Sequence, residues 1–309
     1  RGDTCGIGTL REGNLLVTES TEKAEVLNRS FQSVFSTPSQ EPPPTSNRSD
    51  MPTISIAAEG VRAQLQKLNP YKATGPDNIS PRVLKELADV LSKPLATLFQ
   101  KSLDQATVPE EWKKARVTPL YKKGDKYLPS NYRPISLTCV TCKVMEHIVT
   151  SQITRHLEEK RRLCKRQHGF RKFRSCESQL TELMCDISEK LDQGKEVDAI
   201  FLDFSKAFDK VDHKKLLLKL DTIGVSSQVI KWVQSLLVGR TQTVVVDGFE
   251  SSSCAVTSGV PQGSVIGPIL FLVYINDLPD VVLSKTRLFA DDTVIYSTSD
   301  NYEQLQKDL

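Results

Sequence analysis

Apolar side chains recur at helical spacing in several parts of the chain. Residues 21–35 are predicted to form an amphipathic helix, with an apolar stripe of Ala24, Leu27, Phe31, Val34 and Phe35. Ser80 followed by Pro81 is a typical helix start, Ser as N-cap and Pro in the first turn. In that helix we expect four residues to face inward, namely Val83, Leu84, Leu87 and Leu91.

A third amphipathic helix is predicted over residues 177–191, and Gly194 just past its end is a typical helix terminator. Its apolar stripe would consist of Leu180, Leu183, Met184, Ile187 and Leu191. Further helical patterns cover residues 213–220 and 228–238, each ending near a glycine.

Strand-like patterns dominate the last third of the chain. Residues 197–204 are apolar on both faces, so we expect a strand in the centre of a sheet. Residues 241–247 and 251–257 flank Gly248 and predict a hairpin. A second hairpin is predicted from residues 287–290 and 293–298. This order of strands and helices predicts an α+β fold with helices on one side of a sheet.

Composition adds limits to this picture. The chain has 309 residues, 39% of them hydrophobic and 26% charged, which is enough for a sizeable core and roughly two domains. No apolar run approaches the roughly 20 residues of a membrane helix. The seven cysteines are scattered, which favours a reducing, intracellular location, nuclear or cytoplasmic. Cys139 and Cys142 are interpreted as buried thiols, because no second Cys or His pair lies nearby to complete a zinc site.

The two ends of the sequence have a different character. Five prolines lie among Ser, Thr and Asn in residues 37–52, which predicts an extended linker. Residues 1–53 are therefore assigned to a leader helix and this linker. The first residues lack Met and a signal-peptide pattern, and a helix-like stretch over 301–309 runs to the last residue, so we expect a fragment.

Charge is informative only locally, since the net charge is +3. Residues 160–174 hold eight Lys or Arg and no acid, and residues 113–126 hold six against Asp125. Local basic patches are typical of phosphate binding. Solvated helix ends or loops are the alternative for either segment by itself.

Three carboxylates are the candidate catalytic groups. Asp203 ends the apolar run, and Asp291 and Asp292 lie at the tip of the second hairpin. At a tight turn the alternation of side chains breaks, so one acid can face a metal while its neighbour lies close by. Carboxylates at strand ends are typical of two-metal nucleotidyl transfer. Ordinary turn chemistry is the alternative for the doublet.

Several sequence blocks, in order, resemble the reverse transcriptases of non-LTR (LINE-type, jockey-like) retrotransposons. The first catalytic block matches AIFLDFSKAFD at 199–209, and the second matches FADDT at 289–293. Between them lie SGVPQGS at 258–264, Gly267-Pro268 and INDLP at 275–279. Upstream blocks are ATGPD at 73–77, NYRPISL at 131–137 and QHGFR at 167–171.

The resemblance implies roles for individual residues. Asp203 and Asp291 would bind two Mg²⁺ ions, or Mn²⁺, with Asp292 beside them. Phe208 would be a steric gate against ribonucleotides, and core packing is the alternative or additional role of its ring. Gln262 and Gly263 would order the incoming nucleotide and the template base, whereas a plain loop-to-helix turn capped by Ser264 is the alternative.

The resemblance also implies phosphate contacts. Arg133 would bind the triphosphate, together with Lys122, which competes with Lys123 for that role. The template or primer backbone would lie on the basic segment, through Arg161, Arg162, Lys165, Arg166, Arg171, Lys172 and Arg174. Asp209, Asp212 and Asp277 are not nominated, because they precede helices or turns and are interpreted as caps.

The implied fold is the right-hand polymerase fold with fingers over 54–195 and an incomplete, antiparallel palm over 196–309, the thumb missing. The implied reaction is RNA-directed DNA synthesis from an RNA template, a DNA primer and dNTPs, with an endonuclease region elsewhere in the full-length polyprotein. An inactive copy that only binds nucleic acid and a group II intron-type maturase are the alternatives. RNA-dependent RNA polymerases are disfavoured, since Ala290 and Phe208 stand where those enzymes more often have Gly and a polar residue.

Overall fold

The computed structural model describes residues 6–37 and 50–299. Most of the predicted linker and the helix-like stretch over 301–309 lie outside the described residues. The chain divides into two compact units, one of residues 1–153 and 208–267, the other of residues 154–207 and 268–309. Each unit takes in two separate parts of the chain.

Helices and strands alternate along the described residues. The helices are α1 Ser20–Gln32, α2 Ala58–Gln66, α3 Pro81–Glu86, α4 Ala88–Asp104, α5 Glu110–Lys113, α6 Val140–Glu159, α7 Cys176–Asp192, α8 His213–Thr222, α9 Ser227–Leu237 and α10 Gly267–Tyr274. The strands are β1 Leu10–Glu12, β2 Leu15–Val17, β3 Lys114–Tyr121, β4 Tyr132–Leu137, β5 Glu196–Asp203, β6 Arg240–Val246, β7 Phe249–Glu250, β8 Cys254–Val256, β9 Lys285–Phe289 and β10 Asp292–Ser299.

The first unit is built on a mixed sheet in the order β4-β3-β6-β7, with β8 also paired to β6. β3 and β6 run parallel and the other pairs are antiparallel. Helix α1 covers this sheet, and Ala24, Leu27 and Phe31 pack with Val117 and Val244 in one core. The predicted helix over 21–35 is thus confirmed, although it ends at Gln32.

Local sequence signals in the first unit are also confirmed. Asp247 and Gly248 both have positive φ, 51° and 87°, as a two-residue hairpin turn requires, and they join β6 to β7. The Ser80 side chain accepts a hydrogen bond from the Arg82 amide and caps α3. Helices α8 and α9 occupy the two predicted segments.

The inward stripe expected after Ser80 is wrong in part. Leu84 is buried and Leu91 half-buried, but Val83 and Leu87 are exposed. The helical phase breaks at Leu87, where α3 ends and α4 begins with Ala88. One continuous stripe therefore does not form.

The second unit contains an antiparallel three-stranded sheet in the order β5-β10-β9, and α7 packs against it. Leu183 and Ile187 of α7 meet Val294 and Tyr296 of β10. The expectation that 197–204 is a central strand is wrong for the described residues. There β10 is central and β5 has a single neighbour, and Phe201 on its exposed face is 77% accessible.

The apolar stripe expected on α7 is also only partly buried. Leu183 is buried and Ile187 is half-buried. The remaining three are exposed, namely Leu180, Met184 and Leu191. The helix itself is confirmed, and Gly194 with φ 77° follows its end.

Cys139 and Cys142 are buried free thiols, as interpreted from the sequence. Burial raises the pKa of Cys139 to about 12, so its sulfur stays protonated and unreactive at neutral pH. In the part of the chain that the structure describes, none of the helices has the length and apolar character needed to cross a membrane.

Candidate active site

Two carboxylates face each other at one end of the second unit's sheet. Asp203 is the last residue of β5 and Asp292 the first of β10, and they are direct partners in the antiparallel register. Side chains directly opposite in such a pair lie on the same face, with Cβ atoms about 5 Å apart. Two like charges at this distance repel each other, so the pair favours a bound cation.

The adjacent turn carries the third acid. β9 ends at Phe289, and Ala290 after it has a positive φ of 54°. Asp291 follows, and its side chain is half-buried. A left-handed conformation is uncommon for a residue with a Cβ and is found mostly at turns and functional sites. The predicted hairpin is thus confirmed, with Asp291 in the turn and Asp292 already in the strand.

The side chain of Gln167 holds this turn. Its Oε1 accepts hydrogen bonds from the backbone N–H of Ala290 at 2.8 Å and of Gly169 at 2.7 Å. Its Nε2 donates to the carbonyl of Ala290 at 3.3 Å. Gln167 is only 3% exposed, so these bonds are made out of water, where an unmade bond is costly.

Gly169 brings its backbone against the same turn. A Cβ at position 169 would lie 2.3 Å from the Ala290 nitrogen, closer than any real contact. The QHGFR block further pairs with β9, since Leu288 N–H donates to the Arg166 carbonyl and His168 N–H to the Leu288 carbonyl. The sequence showed this block, but neither Gln167 nor Gly169 was nominated as a site residue.

His168 lies beside this contact with its side chain buried. Burial, with Arg174 and Arg287 nearby, lowers the pKa of His168, so the neutral ring is favoured. Its Nδ1 is 2.8 Å from the Ser178 hydroxyl of α7.

The oxygen donors present fit divalent metal ions of the magnesium type. Asp203 and Asp292 are opposed, and Asp291 directly precedes Asp292, so two strands and the turn before β10 supply the carboxylates. Within residues 6–37 and 50–299, however, no group of three or more His, Cys, Asp or Glu side chains is close enough to form a complete metal site. Such ions usually take substrate phosphates and water as further ligands, so a partial protein ligand set still fits them.

The SGVPQGS block lies in the first unit and is tightly bonded. The Gln262 amide donates to both carboxylate oxygens of Asp209, at 2.9 and 3.0 Å, and the Gln262 carbonyl accepts from Ser136 N–H at 2.7 Å. Gly263 has φ 114°, and a Cβ there would lie 2.6 Å from the Ser136 carbonyl. Ser264 accepts from Gly267 N–H at the start of α10, as expected.

The interpretation of the neighbouring acids as helix caps is confirmed in one case of three. Asp212 caps α8 by accepting from Lys215 N–H at 2.9 Å. Asp209 is instead buried and its carboxylate receives the Gln262 amide, so its capping role was wrong. Asp277 precedes a short 3₁₀ turn, but its side chain makes no capping hydrogen bond.

The remaining candidates for nucleotide binding also belong to the first unit. Phe208 is half-buried, and its carbonyl accepts from Val260 N–H at 2.9 Å, which ties it to the SGVPQGS block. Arg133 is exposed on β4, and Lys122 and Lys123 are exposed just after β3, which pairs with β4. The choice between the two lysines stays open.

The basic segment over 160–174 is exposed for the most part. Arg161, Arg162, Lys165, Arg166 and Lys172 are exposed and Arg174 is half-buried. Arg171 differs, because its guanidinium is bound to both oxygens of Glu158, at 2.8 and 2.5 Å. Arg171 thus ties the segment to the end of α6.

Comparison with known proteins gives the context of this geometry. Residues 120–309 match the family model described as reverse transcriptase (RNA-dependent DNA polymerase). The chain belongs to the reverse transcriptase family. Lys122, Arg133, Gln262 and the three acids all fall within the matched range of this family.

Individual relatives within the reverse transcriptase family come from mobile elements. The chain is 31% identical to the RNA-directed DNA polymerase from mobile element jockey of Drosophila melanogaster, over 81% of the chain and 28% of that protein. It is also 31% identical to the probable RNA-directed DNA polymerase from transposon BS of the same species, over 74% of the chain and 25% of that protein. The chain thus spans about a quarter of the length of these relatives, and its likeness to non-LTR retrotransposon proteins is confirmed.

Proposed function

We propose that this chain catalyses RNA-directed DNA synthesis for retrotransposition, by transferring nucleotides from dNTPs to a primer 3′-hydroxyl on an RNA template. The observation that carries the proposal is the direct pairing of Asp203 with Asp292 at the end of two antiparallel strands, beside a strained turn that holds Asp291.

Asp203, Asp291 and Asp292 would hold two Mg²⁺ ions, or Mn²⁺. When bound, these ions lower the pKa of the attacking hydroxyl and neutralise charge on the leaving phosphate. The carboxylates themselves fix where the ions and the triphosphate lie, and this positioning with electrostatic stabilisation supplies most of the catalysis. No covalent intermediate with the protein is needed.

In the right-hand description of this family, the antiparallel sheet with the acids would be the palm, from about residue 196 onward. Residues 54–195 would supply the fingers. Arg133 and Lys122 would bind the triphosphate, since a guanidinium forks onto phosphate oxygens and an ammonium adds a compact charge.

Phe208 and the SGVPQGS block would select the nucleotide. The Phe208 ring would collide with a ribose 2′-hydroxyl and so favour deoxynucleotides. A Cβ at position 263 would collide with the Ser136 carbonyl, so Gly263 is required for the close packing of this block, and its backbone would lie beside the incoming nucleotide. The Gln262 side chain is held by Asp209, so its orientation is fixed before a nucleotide arrives.

The experiment is primer extension with the purified full chain, oligo(dT) on poly(rA), dTTP and Mg²⁺. We expect incorporation by the wild type and at least a 100-fold loss in Asp291→Ala, since a metal-binding carboxylate is removed. Asp198→Ala is the matched control, because Asp198 lies in β5 five residues before Asp203.

Retained incorporation by a folded Asp291→Ala protein would refute the role of the acid. Template binding without incorporation by the wild type would instead favour a copy that only binds nucleic acid.

A further inference from the structure

The segment between α6 and α7 combines cations with exposed aromatic rings. We name residues 160–175 the basic-aromatic loop. Residues 160–174 of this loop hold eight Lys or Arg and no acid. Phe173 is fully exposed and Phe170 is 58% exposed, although both are large apolar side chains.

The backbone presents both rings in an unusual conformation. Phe170 and Phe173 have positive φ angles of 54° and 60°. Bulky residues rarely adopt this left-handed region, and such strain is concentrated at ligand-binding and active sites. Among the described residues, the apolar cluster of Leu183, Val294 and Tyr296 includes neither ring.

Hydrogen bonds within the basic-aromatic loop and to neighbouring segments hold its backbone in place. Besides its pair with Glu158, Arg171 donates to the Cys164 carbonyl at 2.8 Å, and Arg174 donates to the Lys165 carbonyl at 2.6 Å. The Asn276 side chain bonds the Arg162 carbonyl and the Cys164 N–H. A capping box between Ser175 and Ser178 ends the loop at α7. The rings and the remaining cations therefore project from an ordered backbone.

We propose that the basic-aromatic loop binds an unpaired RNA strand, with bases stacked on Phe173 and Phe170 and phosphates near Lys165, Arg166 and Lys172. The inference rests on the proposed function and specifies the form in which the template is held. Stacking requires base faces that a duplex hides, so the aromatic rings select single strands. Aromatic side chains within a positively charged surface are the usual composition of such sites.

The density of positive charge favours RNA over an apolar protein partner. Lys165, Arg166 and Lys172 are exposed, and the nearest acids in sequence, Glu159 of α6 and Glu177 of α7, lie outside the loop. A protein surface would need several acids to match these cations, whereas every nucleotide of RNA brings a phosphate.

The test is equilibrium binding of the full chain to a fluorescent 12-nucleotide single-stranded RNA and to a duplex of equal length, in EDTA. We expect Phe173→Ala to weaken single-strand binding roughly 5- to 50-fold, the usual loss for one stacked base, and to leave duplex binding unchanged. The slope of log affinity against log salt should stay the same. Lys172→Ala should instead reduce that slope by about 0.7, the value for one phosphate on a single strand.

Control variants separate stacking from other effects. Phe249→Ala removes an exposed phenylalanine of β7 in the first unit and should not change binding. Phe173→Trp should retain binding, whereas Phe173→Leu should bind as weakly as Phe173→Ala. Phe173→Gly should bind weakly yet be at least as stable as the wild type, because glycine adopts positive φ without strain.

Three outcomes would overturn the inference: no binding of single-stranded RNA by the wild type, unchanged binding by Phe173→Ala, or full binding by Phe173→Leu. The assay needs neither metal nor synthesis, so it is separate from the test of the polymerase. If binding depends on Phe173 but no primer extension occurs, the loop is an RNA-binding site and the proposed polymerase activity is rejected. If primer extension occurs but binding does not depend on Phe173, the polymerase activity is supported and the RNA-binding role of the loop is rejected.

Discussion

At the scale of single residues, the site depends on how closely two segments of backbone approach. Gly169 lies against Ala290 with no space for a side chain, whereas Gly60 in α2 has open space around its missing Cβ. The same substitution should therefore have opposite effects at the two positions.

Gly169→Ala should destabilise the protein by about 1–3 kcal/mol, because the new methyl group forces the turn at Ala290 away. Gly60→Ala should stabilise it by about 0.5 kcal/mol, since alanine loses less backbone entropy in a helix. Urea denaturation of both variants measures the difference. Equal stability of the two variants would contradict the close approach at residue 169.

At the scale of elements, the β9–β10 hairpin is held by a side chain from a distant block. Gln167→Ala leaves the N–H groups of Ala290 and Gly169 without their acceptor, at a cost of about 1–3 kcal/mol. Amide exchange at Ala290 should then become at least 10-fold faster, while the β9–β10 ladder stays protected. Mn²⁺ binding should weaken in parallel, because the carboxylates lose their fixed positions.

Two variants sharpen the prediction for Gln167. Gln167→Glu keeps the acceptor oxygen and should retain more protection at Ala290 than Gln167→Ala. Gln179→Ala is the matched control, because Gln179 is also buried in the second unit but its Oε1 finds no hydrogen-bond partner among the described residues. If Ala290 exchanges at the wild-type rate in Gln167→Ala, the side chain does not hold the turn.

Elements were predictable where the signal is local. Ser80-Pro81, Gly248 and Gly194 each favour a backbone conformation by their own chemistry, and the structure confirms all three, with Asp247 also in the turn that was expected at Gly248. Burial was less predictable, because it depends on which element covers a face. The apolar run of β5 does not reveal that β10 takes the central position. In the same way, the apolar stripe of α7 does not reveal which of its residues the sheet covers.

Residues of the candidate site were likewise predictable where the signal is local and not where the partner is distant in sequence. The three acids could be found from their positions at strand ends, and the register places Asp203 opposite Asp292. The role of Gln167 could not be found, because its partner is a backbone amide of an element that follows much later in the chain. Asp209 was misjudged for a similar reason, since its partner Gln262 is also distant in sequence.

At the scale of the whole molecule, three histidines that are shielded from water to different extents couple stability to pH. Burial lowers the pKa of His147, His168 and His213, and His213 also lies 2.7 Å from the Gly259 carbonyl. The unfolded chain therefore binds more protons than the folded one below about pH 6.5. Stability is highest above that pH and falls as the pH drops toward the folded pKa values.

The urea midpoint should decrease steadily between pH 7.5 and 5.5, most steeply below pH 6.5. His213→Gln should flatten this dependence, because one of the three proton sites is removed while a side-chain donor is kept. Circular dichroism at a series of pH values measures both curves. A midpoint that rises toward pH 5.5 would reverse the sign argued here.

The bond between Gln167 and Ala290 also has a consequence for how the protein is made. The two residues are 123 positions apart, so the turn cannot be locked when the first half of the chain leaves the ribosome. Loop closure over such a span is slow, and contacts of this kind form late in folding. A nascent chain thus reaches the end of β9 before the turn that carries Asp291 can be fixed in place.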